Sequence, residues 1–245
     1  MDSKKITIKV GGIKLFDTAI TALKGQRKML ENLRKNNPHI HIYSVNDPEF
    51  AEYGKVLSID AFEMVEAAEK IALPETGSIY EASNIRLEGV WEVREVLEKE
   101  IYGEMPIQIG SCRGFNNALN GFEWHNGSEV NIAVTPMLLF LAHQWDFKNG
   151  KLDTKDAKAF FVDKGQTIQV FETTLHMCPC NVAESGFHSI VVLPKGTNTD
   201  LEEKHADPYL FRKNKWIFCH IDNEALKARG VKPGIVGENY QIKAV

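Results

Sequence analysis

Over residues 17–36 the apolar side chains Ile20, Leu23, Leu30 and Leu33 recur at helical spacing among lysines, arginines and a glutamate. Asn36-Asn37-Pro38 ends the pattern, because the residue before a proline avoids the helical region. With a short strand ahead of it, this helix makes residues 1–40 an N-terminal arm. A second start follows in HIHIYSVNDPEFAEYGKVL, where Ile40, Ile42 and Ser44 alternate as in a strand. Asp60 and Glu63 stand at capping-box spacing before a helix carrying Phe62, Val65 and Ile71. Another helix is predicted over residues 87–102. Leu87, Val90, Trp91, Leu97 and Ile101 form its apolar stripe, Val93 and Val96 widen it, Arg94 interrupts it, and Gly103 supplies a C-cap.

Beyond Gly103 the texture changes to short strands separated by Gly, Asn, Asp and Pro. These are MPIQIGSC, ALNGFEWH, EVNIAVTPMLLFLAHQW, AKAFFVDKG, QTIQVFETTLHMCPC, HSIVVLPKG and NKWIFCHI. Many short strands at regular spacing predict a β-sandwich or barrel. The expected fold is mainly β with α. It comprises the arm at 1–40, a mixed α/β part at 41–103 packed on the barrel, and the barrel itself at 104–245.

The bulk numbers narrow the function classes. The chain has 245 residues, enough for a sizeable core, and a formal charge of -4 spread along the sequence. A nucleic-acid grip needs a concentrated basic surface, so no nucleic-acid partner is expected, whereas one or two cations suffice for a small anion. The N-terminal stretch lacks the apolar core of a secretory signal, and the run at 137–142 is too short to span a bilayer. Of the four cysteines only Cys178 and Cys180 lie close together, which is no disulfide framework and fits a cytoplasmic protein.

The segment FEWHNGSE, residues 122–129, carries the most chemistry. Strand residues two apart share a face, so Glu123 and His125 point together while Phe122 and Trp124 point into an apolar layer. Glu129 keeps that parity, or returns after a turn at Asn126-Gly127. One imidazole and two carboxylates suit a divalent Zn, Mn, Fe, Co or Ni ion. His176 is the candidate fourth ligand, on a strand where Glu172, Thr174 and His176 share a face after a tight turn at Asp163-Lys164-Gly165-Gln166. Cys178 and Cys180 have the same parity as His176, which leaves a His-Cys-Cys zinc cluster as an alternative.

At these residues the sequence resembles a cupin, a double-stranded β-helix or jelly-roll barrel. Glu123 and His125 stand where the first cupin motif has two histidines, Glu129 where it has its glutamate, and His176 where the second motif has a third histidine. Glu123 departs from that pattern. NDPEFAEYGKVL is similar to the opening of ureidoglycolate-lyase-like cupins. Residues 43–235, through YGEMPIQIG, EVNIAV, TTLHMCPC, VVLPKGTNT and RKNKW, look like an uncharacterised bacterial cupin-like family classed as a domain of unknown function.

The resemblance implies one divalent metal ion and a small carbohydrate or hydroxy-acid substrate. It also implies a homo-oligomer, with a dimer the simplest case. Similar cupins include sugar isomerases, in which a metal holds a carbonyl and its neighbouring hydroxyl while a side chain moves a proton. A metal-dependent isomerase or epimerase of a sugar or sugar phosphate is therefore expected. Glu172 and Lys164 are the candidate proton shuttles, Gln108 a hydroxyl binder, and Arg212 and Lys215 candidates to grip substrate. A ureidoglycolate-type C–N lyase and a non-enzymatic sugar-binding cupin are the alternatives.

Overall fold

Strands that are apolar at every position need a partner on each face, and the architecture supplies both. The computed structural model describes residues 27–245, so the arm's strand and the first part of its helix lie outside the described residues. The chain runs α1 (27–36), β1 (Ile42–Ser44), β2 (Gly54–Leu57), α2 (Phe62–Glu69), β3 (Ser78–Glu81), α3 (Ile85–Glu88) and α4 (Trp91–Val96). It continues through β4 (Ile107–Gly114), β5 (Gly121–Trp124), β6 (Glu129–Ala133), β7 (Met137–His143), β8 (Leu152–Asp153), β9 (Lys158–Val162) and β10 (Thr167–Val170). The last elements are β11 (Thr174–Leu175), β12 (Cys180–Asn181), β13 (Phe187–Pro194), β14 (Leu210–Arg212), β15 (Lys215–His220), α5 (Glu224–Ala228) and β16 (Lys232–Val236).

One sheet has the order β2-β10-β6-β13-β4-β3. Opposite it lies β1-β9-β7-β11, with β12 also on β7. A bridge between Glu123 and His176 links this second sheet to a third group, β14-β15-β16-β8, through β5 paired on β15. Met137, Leu139 and Leu141 of β7 meet Ile168, Val170, Val191 and Leu193 in the core between the sheets. On the other face of β7, Leu138, Phe140 and Ala142 pack with Leu33 of α1, Phe122 and Phe218. The outward residues of the first sheet, among them Ile109, Ile132, Ile190 and Val192, pack on Met64, Leu87 and Leu97 from the helices. Burial on both faces explains the uninterrupted MLLFLA run, each such side chain contributing about 1.5–3 kcal/mol.

The structure corrects the predicted helix at 87–102. It is broken at Gly89-Val90 into α3 and α4, and a π-helical turn at Leu97–Ile101 follows. Asn84 caps α3 by accepting from the Arg86 and Leu87 amides at 3.0 and 3.4 Å. Arg94 interrupts the apolar stripe because it pairs with Glu88 and Glu98. Trp91, assigned to that stripe, is 66% exposed. The capping box also shifts. Asp60 accepts from the Phe62 amide at 3.1 Å, but Ala61 is the N-cap and Phe62 points to solvent.

The expected strand through 166–176 is two strands. β10 ends at Val170 in the first sheet, and β11 starts at Thr174 in the second. Residues 171–173 form the corner, tied by Phe171 N and Thr174 Oγ1 to the Tyr53 carbonyl at 2.9 and 2.8 Å. Among the described residues no helix is long and apolar enough to cross a membrane.

Candidate metal centre and adjoining cavity

Alternation along β5 turns Phe122 and Trp124 toward the outer apolar cluster, where Trp124 stacks on Trp216 at 5.8 Å between ring centroids. Glu123 and His125 take the inner face. Gly127, at φ 108°, makes the turn that an L side chain would strain, and the chain returns as β6 with Glu129 as its first residue. His176 arrives from the opposite direction. Its backbone is locked to β5 by Glu123 N to His176 O at 2.6 Å and His176 N to Glu123 O at 3.0 Å.

The four side chains are buried and converge. His125 Nε2 lies 3.8 Å from Glu123 Oε1 and 3.6 Å from Glu129 Oε2, and His176 Nε2 lies 3.5 Å from the same Glu129 oxygen. Ligand atoms of Glu123, His125 and His176 all fall within 4.8 Å of one another. The far ring nitrogens settle the tautomers. His125 Nδ1 meets the Asn214 carbonyl at 2.9 Å, and His176 Nδ1 meets the Thr174 carbonyl at 3.0 Å. A carbonyl only accepts, so each Nδ1 carries a hydrogen, and in a neutral ring each Nε2 presents a lone pair. Both Nε2 atoms are buried and lack a hydrogen-bond partner among the described residues.

Buried carboxylates facing imidazole lone pairs need a positive charge among them. Burial pushes the Glu123 carboxyl up, but the Lys215 ammonium, helped by His125, outweighs it and holds it well below the usual carboxylate range. Burial likewise opposes the charged Glu129, and His176 reverses the shift to leave it lowered. Burial disfavours the His176 imidazolium, yet Glu129 raises it. A divalent cation among the four groups would supply the positive charge they call for. Two imidazole nitrogens and two carboxylates are a donor set for such a cation, so the residues fit a metal. Asn131 Nδ2 donates to Glu129 Oε1 at 2.9 Å and Ser189 Oγ donates to Asn131 Oδ1 at 2.9 Å, an outer layer that orients the carboxylate. Asn131 was legible as a polar residue of Glu129's parity in an apolar strand. Asn214 and Ser189 left no sequence signal.

A cavity of about 340 Å³ adjoins the cluster, with Glu123 in its wall. Lys215 and Arg212 line it, as do Tyr80, Cys112 and Arg229, which the sequence did not single out. Lys215 pairs with Glu123 and lies 5.7 Å from the centre of the Tyr80 ring. Three other sequence candidates go elsewhere. Glu172 is exposed on the corner, so it shares no face with His176, and its carbonyl accepts from Gln144 Nε2. Lys164 pairs at 2.6 Å with Glu69 of α2, beside a separate cavity. Gln108 is buried and spends its amide on the 194–199 turn, donating to Thr197 O at 2.8 Å and accepting from Gly196 N at 2.7 Å. The cysteines do not join His176 either. Cys178 Sγ lies 3.8 Å from Cys112 Sγ, and Cys180 is buried against the Ala118 carbonyl at 3.5 Å.

Fold and site together define a mainly β protein of facing sheets, with helices outside and a two-histidine, two-glutamate cluster beside a cavity. Residues 42–240 match the family described as Domain of unknown function (DUF4867), and the chain belongs to that family. No curated protein matches it. Among solved structures it is similar to Bacillus subtilis oxalate decarboxylase, a protein with Mn(II) centres, at 13% identity and a TM-score of 0.29 over 40% of this chain and 24% of that one. The coconut allergen cocosin aligns at 10% identity and a TM-score of 0.32 over 49% and 27%. The chain thus spans about a quarter of each of those two proteins.

Proposed function

We propose that the chain is a cupin-type metalloenzyme, an isomerase or epimerase of a sugar or sugar phosphate. Glu123, His125, Glu129 and His176 would hold one divalent ion of the Zn, Mn, Fe, Co or Ni group. The observation that carries this reading is the pair of buried, unpartnered Nε2 atoms facing two carboxylates beside a cavity. When bound, the metal polarises a carbonyl and its neighbouring hydroxyl, acidifying the C–H between them.

The chain's own residues supply the remainder. Lys215, with 13% of its side chain exposed and its ammonium on Glu123, lines the cavity beside the cluster and would move a proton to and from substrate. It takes the role expected of Glu172 and Lys164. The hydroxyls of Ser78 and Tyr80 line the same cavity and would hydrogen-bond substrate hydroxyls. The opening that resembles ureidoglycolate-lyase-like cupins has a packing role. Phe50 and Tyr53 enter the inter-sheet core, and a Cβ on Gly54 would come within 2.2 Å of the Gln169 carbonyl. That segment therefore lends no chemical support to a lyase.

The test is elemental analysis of untagged wild type beside His125→Ala and His176→Ala, followed by screening aldoses, ketoses and their phosphates for isomerisation with proton exchange from D2O. The reading expects roughly one transition-metal ion per chain, lost in both folded variants. Metal-free wild type from metal-supplemented cells would sink it. Full metal without turnover on any sugar would leave the sugar-binding alternative.

A further inference from the structure

The cavity beside the cluster is positive in a chain whose formal net charge is -4. Arg212, Lys215 and Arg229 line it against a single carboxylate, Glu123. Lys215 is committed to that carboxylate, which leaves two guanidinium groups in excess. Among the described residues Arg212 has one counter-ion, Asp200, whose side chain is 88% exposed and therefore easily exchanged for a ligand. Arg229, the C-cap of α5, makes no side-chain hydrogen bond or ion pair among the described residues. Its backbone is held at the helix end, where Arg229 N and Gly230 N donate to Leu226 O and Lys227 O at 3.0 and 2.9 Å, and its exposed side chain borders the cavity. Phe211 and Leu226 form part of an apolar wall in the same cavity.

A guanidinium presents a planar fork of donors that matches an oxyanion, and a phosphate monoester carries a charge of about −1.5 to −2 at neutral pH. Arg229, together with Arg212 once it exchanges the exposed Asp200 for ligand, balances that charge. We propose that Arg212 and Arg229 form an anion subsite for the phosphate of the substrate, so that the substrate class is a sugar phosphate and not a neutral sugar. The phosphate end sits at the arginines and the reacting carbons face Glu123 and Lys215. This rests on reading the cavity as the substrate site of the proposed isomerase.

The test is isothermal titration of inorganic phosphate into the full chain as purified, at low and high ionic strength. Wild type should bind saturably, and more weakly in high salt. Arg212→Met and Arg229→Met should each weaken binding about tenfold or more, with the melting temperature and metal content of wild type. Lys227→Met, the same charge change on α5 outside the cavity, should bind phosphate like wild type. Absent binding, or equal loss in the Lys227 variant, overturns the subsite. Tighter binding of glucuronate than of glucose 6-phosphate overturns the choice of phosphate. Metal content is read on the same samples, so failure of the metal reading is seen separately from failure of the subsite.

Discussion

The Lys215 ammonium is paired with the Glu123 carboxylate where the imidazole cluster meets the cavity, with 13% and 11% of the two side chains exposed. Glu123 uses Oε2 for this pair and keeps Oε1 toward His125. Removing Lys215 strands a carboxylate that burial alone would drive to protonate. Lys215→Met should therefore destabilise the metal-stripped protein by about 2–4 kcal/mol, and the metal-loaded protein by distinctly less. Urea denaturation of both forms checks this. Equal losses with and without metal would show that the cluster and Lys215 do not share Glu123's charge.

The heart of the site was legible because β5 obeys a period of two. Glu123 and His125 against Phe122 and Trp124 is a pattern that any strand must express, and Asn126-Gly127 announced the turn that returns Glu129. His176 was found through an alternation that the chain does not continue. Sequence periodicity carries no mark of the change of sheet at residues 171–173, so alternation alone puts Glu172 on a face that it does not share. Lys215 and Asn214 lie about ninety residues from β5. Their contacts arise from the β5–β15 pairing, in which Ile217 stands opposite Glu123, and no local pattern encodes such a register. The broken helix at 85–101 was hidden for the opposite reason. Its apolar spacing runs past Gly89 without a break, and Glu88, which accepts from the Ile109 amide at 2.8 Å, holds the segment to β4.

Glu172 and Lys164 should prove dispensable for chemistry. Glu172 is solvated on the corner, and Lys164 has 53% of its side chain exposed on a surface pair with Glu69. Exposed pairs of this kind contribute about 0–1 kcal/mol. Glu172→Gln and Lys164→Met are expected to keep metal content at the wild-type level and stability within about 1 kcal/mol. Loss of the metal in either variant, measured by elemental analysis, would mean that the corner or the β9–β10 turn moves into the site.

His188 should make the protein sensitive to mild acid. It is 1% exposed on β13, its Nε2 has no partner among the described residues, and Arg113 stands opposite it on β4. Burial first, then the Arg113 charge, depresses its pKa from 6.5 to about 4. Between those values the unfolded chain takes up a proton that the folded chain refuses. The contribution is whole above about pH 6.5 and is lost as pH falls toward 4. The loss is under about 1 kcal/mol at pH 6, about 2 kcal/mol at pH 5 and about 3 kcal/mol at pH 4. His188→Gln should flatten this limb of the stability curve. Urea midpoints for both proteins between pH 7 and 4.5 decide the matter, and parallel curves would exonerate His188.

Cys112 and Cys178 should be the first thiols to couple under oxidation. Their sulfurs are 3.8 Å apart, both line the cavity, and Cys178 Sγ also meets Ser78 Oγ at 3.4 Å. Closing the bond needs the sulfurs to approach by nearly 2 Å, to the usual ~2.05 Å. Cys178 sits in a short connection between β11 and β12, which gives it more freedom than Cys112 has in the middle of β4. Cys180 and Cys219 are buried against carbonyls of their own surroundings and have no thiol partner. Diamide, which takes two electrons and two protons from a thiol pair, should lower the denatured thiol count from four to two. Peptide mapping should then find a Cys112–Cys178 link with a mass loss of about 2 Da, absent in Cys112→Ser. Because Cys178 follows His176 by two residues, the same treatment should change metal retention in wild type and leave it unchanged in Cys112→Ser. A linked pair with unaltered metal content would show that the connection absorbs the movement before it reaches the imidazole.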